Sequence, residues 1–219
     1  MRPRGIIRIV TTALLFAVSL AEAGERLSVY TVNYPLQYFA QRIAGEQAEV
    51  TLPVPPAIDP AFWQPDVATI ANFQQADIIL LNGAGYAKWV NRVSLPRRKL
   101  VDTSAGFRDR YIHTEGDITH SHGREGDHSH AGTAFTTWLD FTLAVEQARA
   151  VAGALSRQRP DSKDIFERNL TALEQDLLDL DRQAQEIVVT NPGKLLLASH
   201  PVYQYFRRRY GLNLQSVMW

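Results

Sequence analysis

Histidine is the residue type in this chain with the clearest capacity for chemistry, and five of the six histidines fall within one short segment. The five are His113, His120, His122, His128 and His130. Neutral imidazole is the commonest protein ligand of transition metals, and histidines two positions apart point to the same side of an extended chain. The pairs His120/His122 and His128/His130 therefore predict weak, adaptable binding of Zn²⁺, Ni²⁺ or Cu²⁺. The alternative is a polar spacer whose histidines are only solvated.

The sixth histidine, His200, follows the apolar run Lys194–Ser199, which predicts a buried strand. Ligands of open parallel sheets bind at the carboxyl ends of the strands. His200 is therefore a candidate metal ligand in a cleft. A histidine at this position can instead cap a helix or satisfy a buried carbonyl group, and position alone leaves both interpretations open.

Motifs typical of enzymes are missing from the sequence. There is no His-Glu-x-x-His, Gly-x-Ser-x-Gly or phosphate-loop pattern, and cysteine is absent. Asp59 and Asp140 are candidate polar site residues, although a helix or turn cap explains either one equally well. Trp63, Trp89 and Trp138 are assigned to the core without a ligand role. We predict a binding protein and not an enzyme; a metal-dependent hydrolase is the weaker alternative.

The elements that must position these residues alternate along the first half of the chain. Strands are predicted at Leu27–Val32, Ala48–Leu52, Asp77–Leu81 and Lys99–Asp102, and helices at Pro35–Ala44 and Asp66–Gln75. Strands separated by helical stretches of about ten residues are typical of βαβ units and an open parallel sheet. The continuously apolar third run is typical of a strand buried on both faces.

Residues 106–133, which hold the clustered histidines, are rich in glycine and charge and predict a long mobile loop. Two helices follow, at Leu143–Arg157 and from about Ser162 to Val189. The apolar residues of the second form one stripe: Phe166, Leu170, Leu173, Leu177, Leu180, Ala184 and Ile187. At about 1.5 Å per residue this helix extends roughly 42 Å. We favour a backbone helix lying across two lobes over the seam of a coiled-coil dimer.

A second lobe begins after the long helix. Beyond the strand before His200, a helix is predicted at Tyr203–Tyr210 and a strand from Leu214. The predicted fold is α/β: an open parallel-sheet lobe joined by a long backbone helix to a second, incomplete α/β lobe. The expected boundaries are 24–142 for the first lobe, 143–190 for the connecting helices, and 191–219 for the start of the truncated second lobe.

Residues 1–23 have the organisation of a cleavable secretory signal peptide. Three arginines precede the apolar run Ile9–Leu20, and Ala21-Glu22-Ala23 forms a small-x-small cleavage pattern. Without this segment the chain keeps 20 of 23 basic and 22 of 23 acidic residues, a net charge of −2, and nothing indicates nucleic acid binding. Because cysteine is absent, disulfides and lipid attachment after the signal are excluded. A periplasmic monomer is expected.

Several motifs, in order, resemble the zinc/manganese solute-binding proteins of metal ABC importers. They are Val32-Asn33-Tyr34-Pro35-Leu36, Ile58-Asp59-Pro60-Ala61-Phe62-Trp63-Gln64-Pro65, Ala76–Gly83 with Tyr86-Ala87-Lys88-Trp89, Trp138-Leu139-Asp140, and Ala198-Ser199-His200 with Tyr205-Phe206 and Tyr210-Gly211-Leu212. A histidine-rich loop and a long connecting helix are typical of the zinc members. The resemblance covers nearly all of the chain after residue 23.

The resemblance implies a cleft site built from three histidines and a carboxylate, and this chain departs from that pattern. The first two histidine positions hold Ala61 and Thr136, the third is His200, and the carboxylate is expected beyond Trp219. A tetrahedral zinc site needs four ligands. Three explanations stay open: loop histidines complete the site with His200, the chain binds another solute, or the cleft no longer binds metal.

The resemblance also implies a function. We expect capture of a divalent metal, zinc first, with manganese or another divalent transition metal as alternatives, and delivery to an ABC permease in the inner membrane. The predicted metal ligands are His200, His120, His122, His128 and His130. The alternative is a non-transport module that sequesters metal or binds a partner on the same fold after loss of the cleft site.

Overall fold

A computed structural model describes residues 25–114, 119–121, 127–129 and 132–217, and its centre is a four-stranded sheet. The strands are β1 (Leu27–Thr31), β2 (Ala48–Thr51), β3 (Ile78–Leu81) and β4 (Leu100–Asp102). They are ordered β2-β1-β3-β4 and every neighbouring pair is parallel. The predicted open parallel sheet is therefore confirmed, and all four carboxyl ends lie at one edge. The predicted signal peptide, residues 1–23, lies outside the described residues.

Two helices connect the first three strands, α1 (Tyr34–Ala44) and α2 (Val67–Gln75). Asn33 begins α1 because its side-chain oxygen accepts a hydrogen bond from the Leu36 amide at 3.1 Å. Leu36 and Ile43 of α1 are fully buried against the sheet. Asp66 caps α2 in the same way, accepting from the Thr69 amide at 2.7 Å. Short polar side chains at these two positions thus fix where each helix leaves the sheet.

The histidine-rich insertion contains more regular structure than the sequence indicated. Strands β5 (His113–Thr114) and β8 (Gly132–Thr133) pair antiparallel at its base, and β6 (Thr119–Ser121) pairs with β7 (Asp127–Ser129). The prediction of a long mobile loop over residues 106–133 is wrong at the start of the segment. Phe107 is fully buried in a small cluster with Ala134, Leu143 and Tyr205. Its partners come from distant parts of the chain, so the local composition could not reveal them.

Two long helices, α3 (Phe141–Gln158) and α4 (Lys163–Thr190), pack against each other and against α1. Phe166 and Leu173 of α4 are fully buried, and Leu177 nearly so. Farther along the predicted stripe, Leu180 is 45% exposed and Ile187 is 68% exposed. The stripe is thus buried or half-buried from Phe166 to Leu177 and largely exposed toward the C-terminal end of α4. Among the described residues, no helix combines the length and apolarity needed to cross a membrane.

The last described elements are β9 (Leu196–Ala198), α5 (Gln204–Tyr210) and β10 (Leu214–Ser216), with β9 and β10 paired in parallel. The predicted strand before His200 is present, but it is not buried: Leu195 is 50% and Leu197 is 65% exposed. Within the described residues no second layer covers this two-stranded sheet. Helix α5 instead packs toward the first lobe through the buried Tyr205.

Candidate functional site

His200 lies two residues after the end of β9 and lines a cleft of about 270 Å³ between the two lobes. Asp59, Tyr86, Thr136 and Trp138 of the first lobe line the cleft opposite it. The Nδ1 atom of His200 lies 2.9 Å from the hydroxyl oxygen of Ser199. The structure therefore places His200 at the carboxyl end of a strand and beside a cavity, where a metal ligand was predicted.

Asp59 occupies a tight turn on the other side of the cleft. Its Oδ1 atom accepts a hydrogen bond from the Ala61 amide at 2.9 Å, and its carbonyl accepts from the amides of Phe62 and Trp63, both at 3.1 Å. Of the two roles that the sequence left open for Asp59, the turn cap is present. The same carboxylate also lines the cleft, so the capping bond does not remove it from the site.

The two positions where the resemblance implies histidines lie close to this cleft. Ala61 is buried within the Asp59 turn and offers only a methyl group. Thr136 lines the cleft, and its hydroxyl donates to the carbonyl of Val202 from the segment after His200. Zinc prefers four N, O or S ligands, whereas the described cleft residues of the usual ligand types are His200 and Asp59. Within the described residues, no three His, Cys, Asp or Glu side chains come together in a metal-binding arrangement.

An aromatic wall closes the inner side of the cleft. The Tyr86 ring packs edge-on against Phe135 at 5.0 Å and against Trp138 at 5.8 Å between centroids. Burial raises the pKa of Tyr86, and the nearby Asp59 carboxylate raises it further. Trp63 and Trp89 are buried in the core as predicted. Trp138 also lines the cleft, a position that sequence reasoning did not assign.

Asp140 serves as the N-cap of α3. Its Oδ1 atom accepts from the Thr142 amide at 3.0 Å and the Thr142 hydroxyl at 2.6 Å, and the side chain is buried away from the cleft lining. Of the two roles left open by the sequence, capping is the one that the structure shows.

The histidine-rich insertion is only partly described. His120 and His128 are opposite each other in the backbone register of β6 and β7, while His122 and His130 lie outside the described residues. Tyr205 of α5 links the two ends of the insertion, because its hydroxyl accepts from the Ile112 amide at 3.2 Å and donates to the Ala134 carbonyl at 3.1 Å. The base of the insertion is therefore bonded to the helix that follows His200.

A buried polar network supports the sheet edge behind the cleft, and sequence reasoning missed it. Gln147 of α3 donates to the Asn82 side chain at 3.3 Å and to the Thr103 hydroxyl at 3.0 Å. Asn33 also donates to Asn82, which in turn donates to the Phe135 carbonyl. The sequence feature that could have revealed this network is the position of its polar residues, because Asn33, Asn82 and Thr103 each follow closely after a strand. Because Phe135 is a cleft residue, this network fixes the wall of the cleft.

A larger cavity of about 440 Å³ lies beyond the aromatic wall, at the carboxyl ends of β3 and β4. Tyr86 and Phe135 line both cavities. Its charged lining residues are Lys88, Asp102 and Arg108. The Asp102 Oδ2 atom accepts from Arg108 at 2.6 Å, and its Oδ1 atom accepts from the amide and hydroxyl of Ser104, both at 3.1 Å.

A parallel-sheet lobe, a long helix and a second α/β unit, with a ligand-sized cleft between the lobes, define the class of two-lobed solute-binding proteins. Residues 29–219 match the ZnuA family, zinc-uptake complex component A, periplasmic, and the chain belongs to this family. The family is one of transporter binding proteins and not an enzyme family.

Curated relatives agree in sequence over most of this chain. It is 27% identical over 207 residues to the zinc-binding lipoprotein AdcA of Streptococcus pneumoniae, covering 90% of this chain and 40% of AdcA. It is 29% identical over 194 residues to the high-affinity zinc uptake system protein ZnuA of Bacillus subtilis, covering 87% of this chain and 60% of that protein. It is 27% identical over 216 residues to the manganese ABC transporter substrate-binding lipoprotein PsaA of Streptococcus pneumoniae, covering 91% of this chain and 66% of PsaA. The chain thus spans less than two thirds of the length of these relatives.

Solved structures show the same architecture. The metal-dependent lipoprotein YcdH from Bacillus subtilis superposes with a TM-score of 0.74 at 25% identity, covering 88% of this chain and 67% of that chain. A crystal structure of ZnuA superposes with a TM-score of 0.73 at 25% identity, covering 88% and 71%. The predicted α/β fold class is confirmed by these neighbours.

Proposed function

We propose that this chain is the periplasmic metal-capturing component of an ABC importer, with zinc as the principal cargo and manganese as the alternative. The observation that carries the proposal is the position of His200, an imidazole just beyond the carboxyl end of β9 that lines a cleft together with Asp59. Zinc and manganese are the two metals considered because the similar proteins are named for one or the other.

The remaining parts of the proposal follow from the sequence. Residues 1–23 direct export and are removed, the mature chain acts as a monomer, and it delivers its cargo to a permease in the inner membrane. His120, His122, His128 and His130 capture metal weakly near the cleft. Tyr205 supports a connection between the histidine-rich insertion and the cleft. Its hydroxyl bonds both ends of the insertion, and Tyr205 belongs to α5, the helix that follows His200.

Equilibrium dialysis against buffered Zn²⁺ and Mn²⁺, with bound metal measured by atomic spectroscopy, tests this function. The variants are His200→Ala, the fourfold change of His120, His122, His128 and His130 to Ala, and His113→Ala as the matched control. We expect His200→Ala to weaken the tightest site at least tenfold and the fourfold variant to lower the stoichiometry. His113→Ala is expected to bind as the unmodified chain does. Absence of bound metal from the unmodified chain would refute the proposal.

A second candidate function is a module that sequesters metal or binds a partner without transport. It is favoured by one observation: of the described cleft residues, only His200 and Asp59 are usual metal ligands, and Ala61 and Thr136 hold the positions of the implied histidines. In the same dialysis experiment this function requires the opposite pattern. The fourfold variant would lose all metal, and His200→Ala would change nothing.

A further inference from the structure

A hydrogen bond joins the two lobes beside His200. The hydroxyl of Thr136, in the first lobe, donates to the carbonyl of Val202, two residues after His200 in the second lobe. Both residues line the cleft that His200 lines, and Thr136 is buried. Next to this bond only about 20 Å³ of space remains between residues 133–136 and the segment after His200, about what one water molecule needs. The lobes are therefore in direct contact at this point.

The chain between this bond and His200 is stiff. Its middle residue is Pro201, whose ring fixes φ at about −65°. The residue before a proline is restricted to extended backbone, and here that residue is His200. A bond that fixes the Val202 carbonyl therefore also restricts the backbone of His200.

Bonds within the second lobe hold the same segment without fixing it to the first lobe. The Ser216 hydroxyl donates to the His200 carbonyl at 3.2 Å, and the Gln204 side-chain amide donates to the Pro201 carbonyl at 2.5 Å. These donors belong to the same lobe as their acceptors and would move with them. Fixing His200 relative to the opposite wall of the cleft requires a donor from the first lobe, and Thr136 is such a donor.

We propose that Thr136 is a positioning residue of the metal site: its bond to Val202 holds His200 in place across the cleft from Asp59. The inference rests on the proposed function and adds to the site a residue that supplies no ligand atom. Because protein atoms alone make the bond, His200 is held before metal binds. A ligand that is already in place loses less conformational freedom on binding, so the affinity for metal depends on the Thr136 hydroxyl.

Variants of Thr136 test the inference in a background without the weak loop ligands, so that competition with a zinc-binding dye reports the cleft. The background carries the changes of His120, His122, His128 and His130 to Ala. Thr136→Val keeps the shape of the side chain and removes the donor, and is expected to weaken Zn²⁺ binding about tenfold, the size of one lost hydrogen bond. Thr136→Ser keeps the hydroxyl and is expected to bind Zn²⁺ as the background does.

Thr137→Val is the matched control. Thr137 is the next residue, is also buried, and its hydroxyl donates to the Gln147 side chain at 3.1 Å. This bond stays within the first lobe. Thr137→Val should therefore lower the thermal unfolding temperature while Zn²⁺ binding stays at the level of the background.

A second measurement needs no metal. The background retains two histidines, His113 and His200, and the NMR signals of their imidazole carbon-bound protons are assigned with His200→Ala. In the metal-free protein Thr136→Val is expected to shift and broaden the His200 signal while the His113 signal stays unchanged. The signals of Thr136→Ser and Thr137→Val are expected to stay as sharp as those of the background.

Several outcomes would overturn the inference. An unchanged His200 signal in Thr136→Val, or unchanged zinc affinity, overturns it and leaves the proposed function intact. Equal weakening of zinc binding by Thr136→Val and Thr137→Val also overturns it, because general loss of stability then explains both. Equal weakening by Thr136→Ser and Thr136→Val assigns the effect to packing and not to the hydrogen bond. Absence of bound zinc from the unmodified chain refutes the proposed function and the positioning of a metal ligand together.

Discussion

The guanidinium of Arg209 donates from Nε and Nη2 to the two carboxylate oxygens of Asp181, at 2.8 Å and 2.6 Å. Asp181 belongs to α4 and Arg209 to α5, so the pair joins the long helix to the second lobe. The Tyr210 hydroxyl and the Gln185 amide donate to the same carboxylate, at 2.8 Å and 2.7 Å. Since α5 begins only a few residues after His200, this cluster fixes the helix that positions the cleft histidine.

Replacement of Asp181 by alanine should destabilise the protein by about 3 kcal/mol, because it leaves Arg209 and Tyr210 without their shared acceptor. The Asp181 side chain is only 8% exposed, so water replaces the lost bonds poorly. Urea unfolding followed by circular dichroism measures the change. Asp179→Ala is the control: Asp179 is 55% exposed and paired with Arg182, and its loss should cost less than about 0.5 kcal/mol. Equal losses for the two variants would contradict this prediction.

The same pair should make stability depend on pH in the acid range. Hydrogen bonds from Arg209 lower the pKa of Asp181 below its usual value, with Tyr210 and Gln185 acting in the same direction. A lowered pKa in the folded state contributes stability above the unfolded pKa of about 3.9, and this is lost as pH falls through the folded pKa. The stability difference between the unmodified chain and Asp181→Asn should therefore shrink below about pH 4. Urea unfolding at pH 6, 4 and 3 measures it, and a constant difference would be the contrary result.

Tyr205→Phe should loosen the base of the histidine-rich insertion. The change leaves the Ile112 amide and the Ala134 carbonyl without their partner, at a cost of about 2 kcal/mol. Hydrogen exchange should speed up at the Ile112 amide while the amides of β1 stay protected. Tyr203→Phe is the control, because Tyr203 is 36% exposed. Unchanged exchange at Ile112 would show that the hydroxyl does not hold the insertion.

Two neighbouring glycines allow backbone strain to be separated from steric overlap. A Cβ atom at Gly83 would lie 1.9 Å from the Ser104 hydroxyl oxygen and 2.3 Å from Asp102 Oδ1, whereas at Gly85 nothing lies within 4 Å. Both residues have similar positive φ, 75° and 73°. Gly85→Ala should therefore cost about 1 kcal/mol from strain alone, and Gly83→Ala about 3 kcal/mol because overlap is added. Thermal unfolding measures both, and equal costs would contradict the steric argument.

Local pattern predicted the elements, while burial depended on distant partners. The strands of the sheet and helix α4 were found where apolar periodicity placed them, because that pattern is a property of neighbouring residues. The prediction of a loop at Phe107 was wrong, because this side chain is fully buried. The residues that bury Phe107 are Ala134, Leu143 and Tyr205, which lie far from it in sequence. The buried part of α4 likewise depends on α1 and α3, which pack against it.

The sequence by itself determined the α/β class, the order of the elements, and His200 at the end of a strand, because these follow from local residue patterns and from the rule that ligands collect at strand ends. The site assignments for His200 and the loop histidines stay predictions. Only the tertiary structure decided which groups face His200: Asp59, Thr136 and Trp138 across one cleft, and beyond Tyr86 a second cavity with Arg108. The physical reason is that a cleft is a contact between segments distant in sequence, and chain folding alone brings them together.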